Sequence, residues 1–276
     1  VLNNINFVFQ ETFRNIYTSI KFSISDKEIK TICFTSTIPQ EGKSLCSLFL
    51  AMNASEISKK ILIIDTDLRR PALHKKLNVD NVAGITNYLV NIDRDWKEFI
   101  QQHNEFKNLF FITAGKVPPN SVRLLNSNRM KKLVEELRNC NEYDLIIFDC
   151  PPVLGLSDSL IISNLVDGTI LTVSLDKVDR TLTQETLKKL QSTSTPVIGT
   201  IANAANKPRS AGLNSNKFGY YGDYRYQYKY NAYKYMPEET SKRYSSGNLK
   251  TENNTKLNLS KFNSLSFKEK AIYLYQ

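Results

Sequence analysis

Two uninterrupted apolar runs, each ending in an aspartate, constrain the fold of this chain more than any other feature. Ile61–Ile64 leads into Asp65, and Leu145–Phe148 leads into Asp149. Strands that are apolar on both faces are typical of a buried parallel sheet covered by helices on both sides. Because ligands bind where the carboxyl ends of parallel strands meet, we expect the two carboxylates to lie at one binding edge.

Four further runs have the composition of strands, and stretches that are long enough for helices separate most of them. They are Thr31–Thr35, Leu109–Thr113, Gly168–Val173 and Pro196–Ile201. The sequence therefore predicts an α/β domain with a doubly wound, mostly parallel sheet. Before it, residues 1–28 carry apolar side chains at helical spacing and are predicted to form an N-terminal helical segment. These side chains are Phe9, Phe13, Ile16 and Ile20.

The loop between the first predicted strand and the following helix resembles a phosphate-binding loop (P-loop). It reads Pro39, Gln40, Glu41, Gly42, Lys43, Ser44 and Leu45. In such a loop backbone N–H groups bind phosphate, the lysine reaches the outer phosphates and the serine hydroxyl binds Mg²⁺. The motif has a glycine five residues before Gly42, where this chain has Thr37, so the loop is a variant.

A Gly-Lys-Ser tripeptide also occurs by chance, and the acidic residues decide between the two interpretations. Asp65 and Asp67 follow one strand, where two acids can serve a metal ion and accept a proton from an attacking group. Asp149 ends a wholly apolar strand, as in the Walker B motif, whose acid holds Mg²⁺ through water. Together they predict a site for a nucleoside triphosphate with Mg²⁺. Asp67 could instead cap the next helix, with Pro71 in its first turn.

A tyrosine-rich, basic segment follows the predicted domain. Nine of the 14 tyrosines lie between residues 220 and 244, and residues 207–243 hold eight Lys or Arg against three acids, half of the net charge of +10. Three interpretations remain open: an amphipathic edge strand, a stacking surface for single-stranded nucleic acid, and phosphate acceptors on a flexible segment. The Asn-, Ser- and Gly-rich residues before it argue against a packed strand.

The cysteines and the hydropathy of the sequence limit the cellular compartments in which this chain is expected. The four cysteines form no Cys-x-x-Cys pair and are interpreted as buried or incidental thiols, which fits a reducing cytoplasm. No apolar run reaches the ~18 residues of a membrane helix, and no signal peptide is visible. Because the chain begins with Val1, we leave open an upstream membrane segment in the same polypeptide.

In order and spacing these motifs resemble those of the bacterial cytoplasmic tyrosine kinases (BY-kinases) of polysaccharide export and chain-length control systems. The resemblance runs from about Glu11 to Tyr244. It rests on the variant P-loop, Asp65–His74, Gly84–Leu89, Gly115–Asn120, the Walker B strand with Pro151, Pro152, Val153 and Asp158, and the tyrosine cluster.

The resemblance implies ATP-dependent phosphorylation of tail tyrosines, mainly between subunits, in the regulation of exopolysaccharide or capsule synthesis. Lys43 would contact the phosphates, Ser44 would ligate Mg²⁺, and Asp67 and Asp149 would organise the metal. Asp65 would be the candidate base for the tyrosine hydroxyl. The acceptors would be Tyr220, Tyr221, Tyr224, Tyr226, Tyr228, Tyr230, Tyr233 and Tyr235.

The resemblance also implies partners and segment boundaries. It implies a ring-like homo-oligomer with contacts through Glu11 and Arg14, and a membrane activator. The location expected is cytoplasmic, at the inner membrane, through an upstream or separate membrane segment. We place the helical segment at residues 1–28, the ATP-binding domain at 29–210, the flexible tail at 211–245 and a polar, mobile end at 246–276.

Three departures from the family pattern matter. Gln40 replaces a usual glycine, and Tyr17 replaces the third residue, an arginine, of the oligomer motif. Ser121 and Arg123 stand where Pro and Glu are common, which we expect to affect a surface. Three rivals remain: a partition or cell-division ATPase, a weakly active ATP-binding regulator, and a module whose basic tail binds acidic polymer. The first has a signature lysine where this chain has Thr37. Nucleic acid is the less favoured partner.

Overall fold

The computed structural model describes residues 2–22, 28–175 and 177–203, with side chains from residue 10 onward. Its strands are β1 Thr31–Ser36, β2 Ile61–Asp65, β3 Gln101–Gln102, β4 Leu109–Ile112, β5 Leu145–Asp149, β6 Gly168–Ser174 and β7 Val197–Asn203. Its α-helices are α1 Leu2–Phe22, α2 Lys43–Ile57, α3 Leu73–Leu77, α4 Ile85–Val90, α5 Ser121–Leu125, α6 Asn128–Asn139, α7 Asp158–Ser163 and α8 Arg180–Gln191. A 3₁₀ helix spans Trp96–Phe99.

The strands form one seven-stranded sheet in the order β3-β4-β2-β5-β1-β6-β7. All pairings are parallel except β3 with β4, where Gln101 pairs with Phe111 and Gln102 with Phe110. The prediction of a doubly wound, mostly parallel sheet is confirmed, and the six predicted strands are present. The sequence did not predict β3, because two glutamines carry no apolar strand pattern.

The middle of the sheet is buried on both faces. Every residue of β1, β2, β5 and β6 is buried, as expected for continuous apolar runs between layers of helices. The largest cluster of core side chains joins strands β2, β4 and β5 to helices α4–α7. This rigid centre holds the carboxyl ends of β1, β2 and β5 side by side at one edge.

Helix α1 packs against α2, which is buried over most of its length. The rings of Phe13 and Phe49 lie 5.7 Å apart, and the buried Tyr17 hydroxyl accepts a hydrogen bond of 2.6 Å from Ser58. Tyr17 therefore faces its own subunit, which explains an aromatic residue at this position of the oligomer motif. The predicted helical segment ends at Phe22, and residues 23–27 lie outside the described ranges.

No helix within these ranges is both long and apolar enough to span a bilayer. The predicted domain end at residue 210, the tyrosine tail and the polar end lie outside the described residues. The boundaries proposed there therefore stay predictions.

Candidate nucleotide and metal site

The predicted P-loop joins β1 to α2 at the carboxyl edge of the sheet. Gly42 precedes the helix with a φ of 89°, and its carbonyl accepts hydrogen bonds from the N–H groups of Leu45 and Cys46. A Cβ atom at Gly42 would lie 2.4 Å from Nδ2 of Asn203. The left-handed backbone favours glycine here, and α2 begins at the next residue, where N–H groups of a helix N-terminus favour an anion.

Gln40 also has a left-handed backbone, with a φ of 66°. This conformation costs an L-residue with a Cβ atom roughly 1–2 kcal/mol relative to the right-handed one. The structure therefore gives a physical reason for the glycine that the family pattern has here. Gln40 keeps the glycine-like turn and carries this cost.

Glu41 holds the loop in place with its side chain. The buried carboxylate accepts hydrogen bonds from the N–H groups of Ile38 (2.6 Å) and Ser174 (2.8 Å). Its carbonyl accepts a bond of 2.9 Å from Asn203. Burial raises the pKa of Glu41. Since both carboxylate oxygens are used inside the protein, a role of Glu41 in nucleotide binding would come from its backbone.

Lys43 places one ammonium group among the predicted carboxylates. Its Nζ lies 3.0 Å from Oδ2 of Asp67, 3.8 Å from Oδ1 of Asp149 and 3.1 Å from the Ser44 hydroxyl. All four side chains are buried. The fold thus brings together residues that are separated by more than 100 positions in the sequence.

Asp65 shapes the chain that follows β2. Its Oδ1 accepts a bond from the Asp67 N–H (3.2 Å), and its Oδ2 accepts bonds from Ala72 (3.1 Å) and Leu73 (3.0 Å) at the start of α3. Asp65, rather than Asp67, therefore caps this helix, and Asp67 accepts a bond from the Arg70 N–H instead. The pKa of Asp65 is raised well above its usual range by burial and by the nearby charges of Asp149 and Asp67.

Asp149 is the least satisfied of the three acids. It is fully buried, and neither carboxylate oxygen has a hydrogen-bond partner among the residues described. Burial raises its pKa, while the Lys43 ammonium and the nearby Ser44 hydroxyl, which lies outside hydrogen-bond geometry, oppose this. A buried carboxylate without donors is costly unless a cation compensates it.

The donor set fits a hard divalent cation. Mg²⁺ is held by one or two carboxylates together with phosphates and waters, and it prefers oxygen ligands. Ser44, Asp67 and Asp149, whose carboxylate accepts no hydrogen bond among the described residues, supply such oxygens. The described part of the chain has no group of three or more His, Cys, Asp or Glu side chains that could hold a metal.

An ion pair anchors the loop that carries Asp67. Arg69 makes two hydrogen bonds to the fully buried Asp158, Nε to Oδ1 at 2.9 Å and a second at 3.2 Å. The Ser121 hydroxyl donates to the same carboxylate at 2.7 Å. Ser121 is buried, so the expectation of a surface position was wrong for it, whereas Arg123 is exposed. The spacing of these residues gave no signal of this network.

Sequence reasoning also missed a second lysine. The half-buried Lys76 of α3 has no ion pair or hydrogen bond from its ammonium within the described ranges. Its pKa is lowered by burial and raised in part by the charge of Asp149. Lys76 thus adds positive charge beside Asp65 and Asp149.

The predicted oligomer residues make their contacts elsewhere. Arg14 pairs with Glu11 (2.6 Å) and with Glu56 of α2 (2.8 Å) within the chain. An oligomer contact through Glu11 and Arg14 stays a prediction. The eight proposed acceptor tyrosines lie outside the described residues. Pro39 and Leu45, the first and last residues of the loop, are half-buried.

Comparison with known proteins follows this geometry. The AAA domain family matches residues 29–196. The tyrosine-protein kinase YwqD of Bacillus subtilis (strain 168) is 34% identical over 212 residues, covering 77% of this chain and 86% of that protein.

Solved structures agree with this result. The kinase domain of the Escherichia coli tyrosine kinase ETK superposes with a TM-score of 0.69 at 29% identity, covering 74% of this chain and 79% of that one. The cell-division protein MinD of Aquifex aeolicus has a TM-score of 0.52 at 20% identity, covering 63% and 69% of the two chains. The second match shows a shared fold alone.

Proposed function

The chain belongs to the family of bacterial tyrosine-protein kinases, and on that basis we propose that it transfers the γ-phosphate of ATP to tyrosines in its own C-terminal segment. One observation carries this proposal. Lys43, at the end of the P-loop, pairs with Asp67 and Asp149, and Asp65 and Asp149 end the adjacent strands β2 and β5. Phosphoryl transfer needs positioning and charge neutralisation more than covalent chemistry by the enzyme.

The loop and α2 would bind the phosphates. The backbone from Pro39 to Leu45 winds into the helix N-terminus, where N–H groups and the helix dipole favour an anion. Lys43 would contact the outer phosphates from its place among the carboxylates. The bonds of Glu41 to two backbone amides keep this loop in shape.

Ser44, Asp67 and Asp149 would hold Mg²⁺. When bound, the ion supplies positive charge to the phosphate oxygens of the nucleotide. For Asp149 the ion would also compensate a carboxylate that has no donor among the described side chains and amides. Lys76 would add positive charge on the α3 side.

Asp65 is the candidate base for the acceptor hydroxyl. A carboxylate offers about four acceptor positions, and backbone N–H groups occupy three of them in Asp65. One position remains for the tyrosine hydroxyl. The raised pKa of Asp65 makes it a stronger proton acceptor, which suits a hydroxyl with a pKa near 10.

The acceptors would be Tyr220–Tyr235, presented by a neighbouring subunit of a homo-oligomer. This assignment comes from the family resemblance and from the clustered tyrosines in the sequence. We further propose that phosphorylation regulates exopolysaccharide or capsule synthesis at the inner membrane, with a membrane protein or domain as activator.

A mixing experiment tests transfer between subunits. One subunit carries Lys43→Met with all tail tyrosines, and the other has an intact site with its eight acceptor tyrosines changed to Phe. With ATP and Mg²⁺, we expect phosphotyrosine on the Lys43→Met subunit in the mixture and none when either variant is alone. Modification of the wild-type chain without modification in the mixture would show transfer within one subunit.

A further inference from the structure

We infer that Lys177 is a positioning residue of the P-loop, which holds Gln40 in its left-handed conformation. This inference rests on the proposed nucleotide site. Lys177 lies in the turn after β6, 137 positions from Gln40, and its Nζ donates a hydrogen bond of 2.8 Å to the Gln40 carbonyl. The bond therefore acts on the backbone of the residue that departs from the glycine pattern.

The turn that carries Lys177 is itself fixed to the loop. The N–H groups of Lys177 and Val178 both donate to the Ser174 carbonyl at 3.2 Å. The Ser174 N–H in turn donates to the Glu41 carboxylate at 2.8 Å. Two successive loop residues thus accept hydrogen bonds from the end of β6 and the turn after it, Glu41 through its carboxylate and Gln40 through its carbonyl.

Gln40 needs such support because its φ of 66° is disfavoured by its Cβ atom. The bond to the carbonyl holds the peptide that follows Gln40 and so restrains the backbone in which this φ occurs. The charge of Lys177 also favours the ionised form of Glu41, which keeps both of its amide bonds. A glycine at position 40 would adopt the same φ without this cost. Lys177 should therefore matter when residue 40 has a Cβ atom and matter little when it is glycine.

Three substitutions of residue 40 and Lys177 distinguish support of the left-handed Gln40 from an effect of Lys177 that does not depend on residue 40. Lys177→Met removes the ammonium and keeps the aliphatic stem. Gln40→Ala keeps the carbonyl and the Cβ atom, whereas Gln40→Gly keeps only the carbonyl. ATP affinity in the presence of Mg²⁺, measured by titration calorimetry, is the first readout.

In the Gln40 and Gln40→Ala chains, we expect Lys177→Met to weaken ATP binding about three- to tenfold, the value of one hydrogen bond. In the Gln40→Gly chain the same change should weaken binding by less than about twofold. Lys177→Arg should restore most of the affinity, because its guanidinium also donates. Lys188→Met, an exposed lysine of α8, controls for the loss of a surface charge.

The amide hydrogen exchange of residues 38–42 is the second readout, and it does not depend on nucleotide. Lys177→Met should speed exchange there in the Gln40 chain and leave it unchanged in the Gln40→Gly chain. Equal effects in both chains, or none in either, overturn the inference. If the folded wild-type chain binds no ATP while the exchange result holds, the proposed function fails and the role of Lys177 stands.

Discussion

Asp65 and Asp149 are register partners on the adjacent parallel strands β2 and β5, and both side chains are fully buried. The Lys43 ammonium pairs with Asp149 and with Asp67, which follows β2. Burial and, to a lesser degree, neighbouring carboxylates disfavour ionisation, so the pKa of each of these two aspartates is raised. Such a site lowers the stability of the ligand-free protein and is suited to binding a cation.

Asp149→Asn should stabilise the protein in EDTA at neutral pH, because it removes a buried charge that lacks hydrogen-bond donors. Thermal unfolding would detect this, since each kcal/mol shifts the midpoint by about 2–4 °C in a domain of this size. ATP with Mg²⁺ should stabilise the wild-type chain and leave the variant unchanged. An unchanged or lower midpoint of the variant in EDTA would contradict this view of the site.

The difference in unfolding midpoint between the wild-type chain and Asp149→Asn should depend on pH. Asp149 has a raised pKa in the folded state, so its contribution to stability is fully present below the unfolded-state pKa of about 3.9 and is lost as the pH rises through the folded-state pKa. The advantage of Asp149→Asn in EDTA should therefore be small near pH 4 and grow towards neutral pH. A pH-independent difference between the two midpoints would exclude ionisation of Asp149 as its cause.

Glu41→Gln should lower both stability and ATP affinity. A glutamine has one acceptor oxygen, so either the Ile38 or the Ser174 N–H would face an NH₂ group. Losing a buried bond to a charged group costs about 1–3 kcal/mol, which denaturant unfolding measures directly. Glu135→Gln, at an exposed position of α6, is the matched control. Equal unfolding midpoints for the two variants would show that the Glu41 carboxylate does not hold the loop.

Arg69→Met should destabilise the chain and reduce phosphorylation. It leaves the fully buried Asp158 with Ser121 as its remaining side-chain partner. Breaking a buried pair costs about 3–5 kcal/mol, and we expect about 1–3 because 29% of the Arg69 side chain is exposed. Arg69→Lys should lose less stability than Arg69→Met but should not reach that of the wild-type chain, since lysine cannot form both bonds.

The exposed pair of Arg94 and Glu98 provides the control for Arg69. Arg94→Met should change the unfolding midpoint by less than Arg69→Met, because solvent screens exposed charges. If both variants unfold alike and keep full phosphorylation, the Arg69–Asp158 pair does not position the Asp67 loop.

The sequence predicted the sheet because its central strands are apolar on both faces, a pattern that is typical of sheets covered by helices on both sides. It predicted the convergence of Lys43, Asp65, Asp67 and Asp149, since parallel strands place their carboxyl ends at one edge. The two-residue strand β3 could not be predicted from Gln101 and Gln102, which lack any apolar signal.

Contacts between distant positions were also beyond sequence reasoning. Lys177 and Gln40 are 137 positions apart and Arg69 and Asp158 are 89 apart, and the sequence does not indicate that either pair meets. The burial of Ser121 and the capping of α3 by Asp65 depend on side-chain geometry, which spacing along the chain does not contain.

Mass spectrometry of the wild-type chain after incubation with ATP and Mg²⁺ is the decisive test of the proposed kinase activity. We expect phosphate on tyrosines within Tyr220–Tyr235, and none there in the Lys43→Met chain, because its site lacks the ammonium that would contact the outer phosphates. A folded, ATP-binding wild-type chain without phosphotyrosine, or equal modification of the Lys43→Met chain, would contradict it.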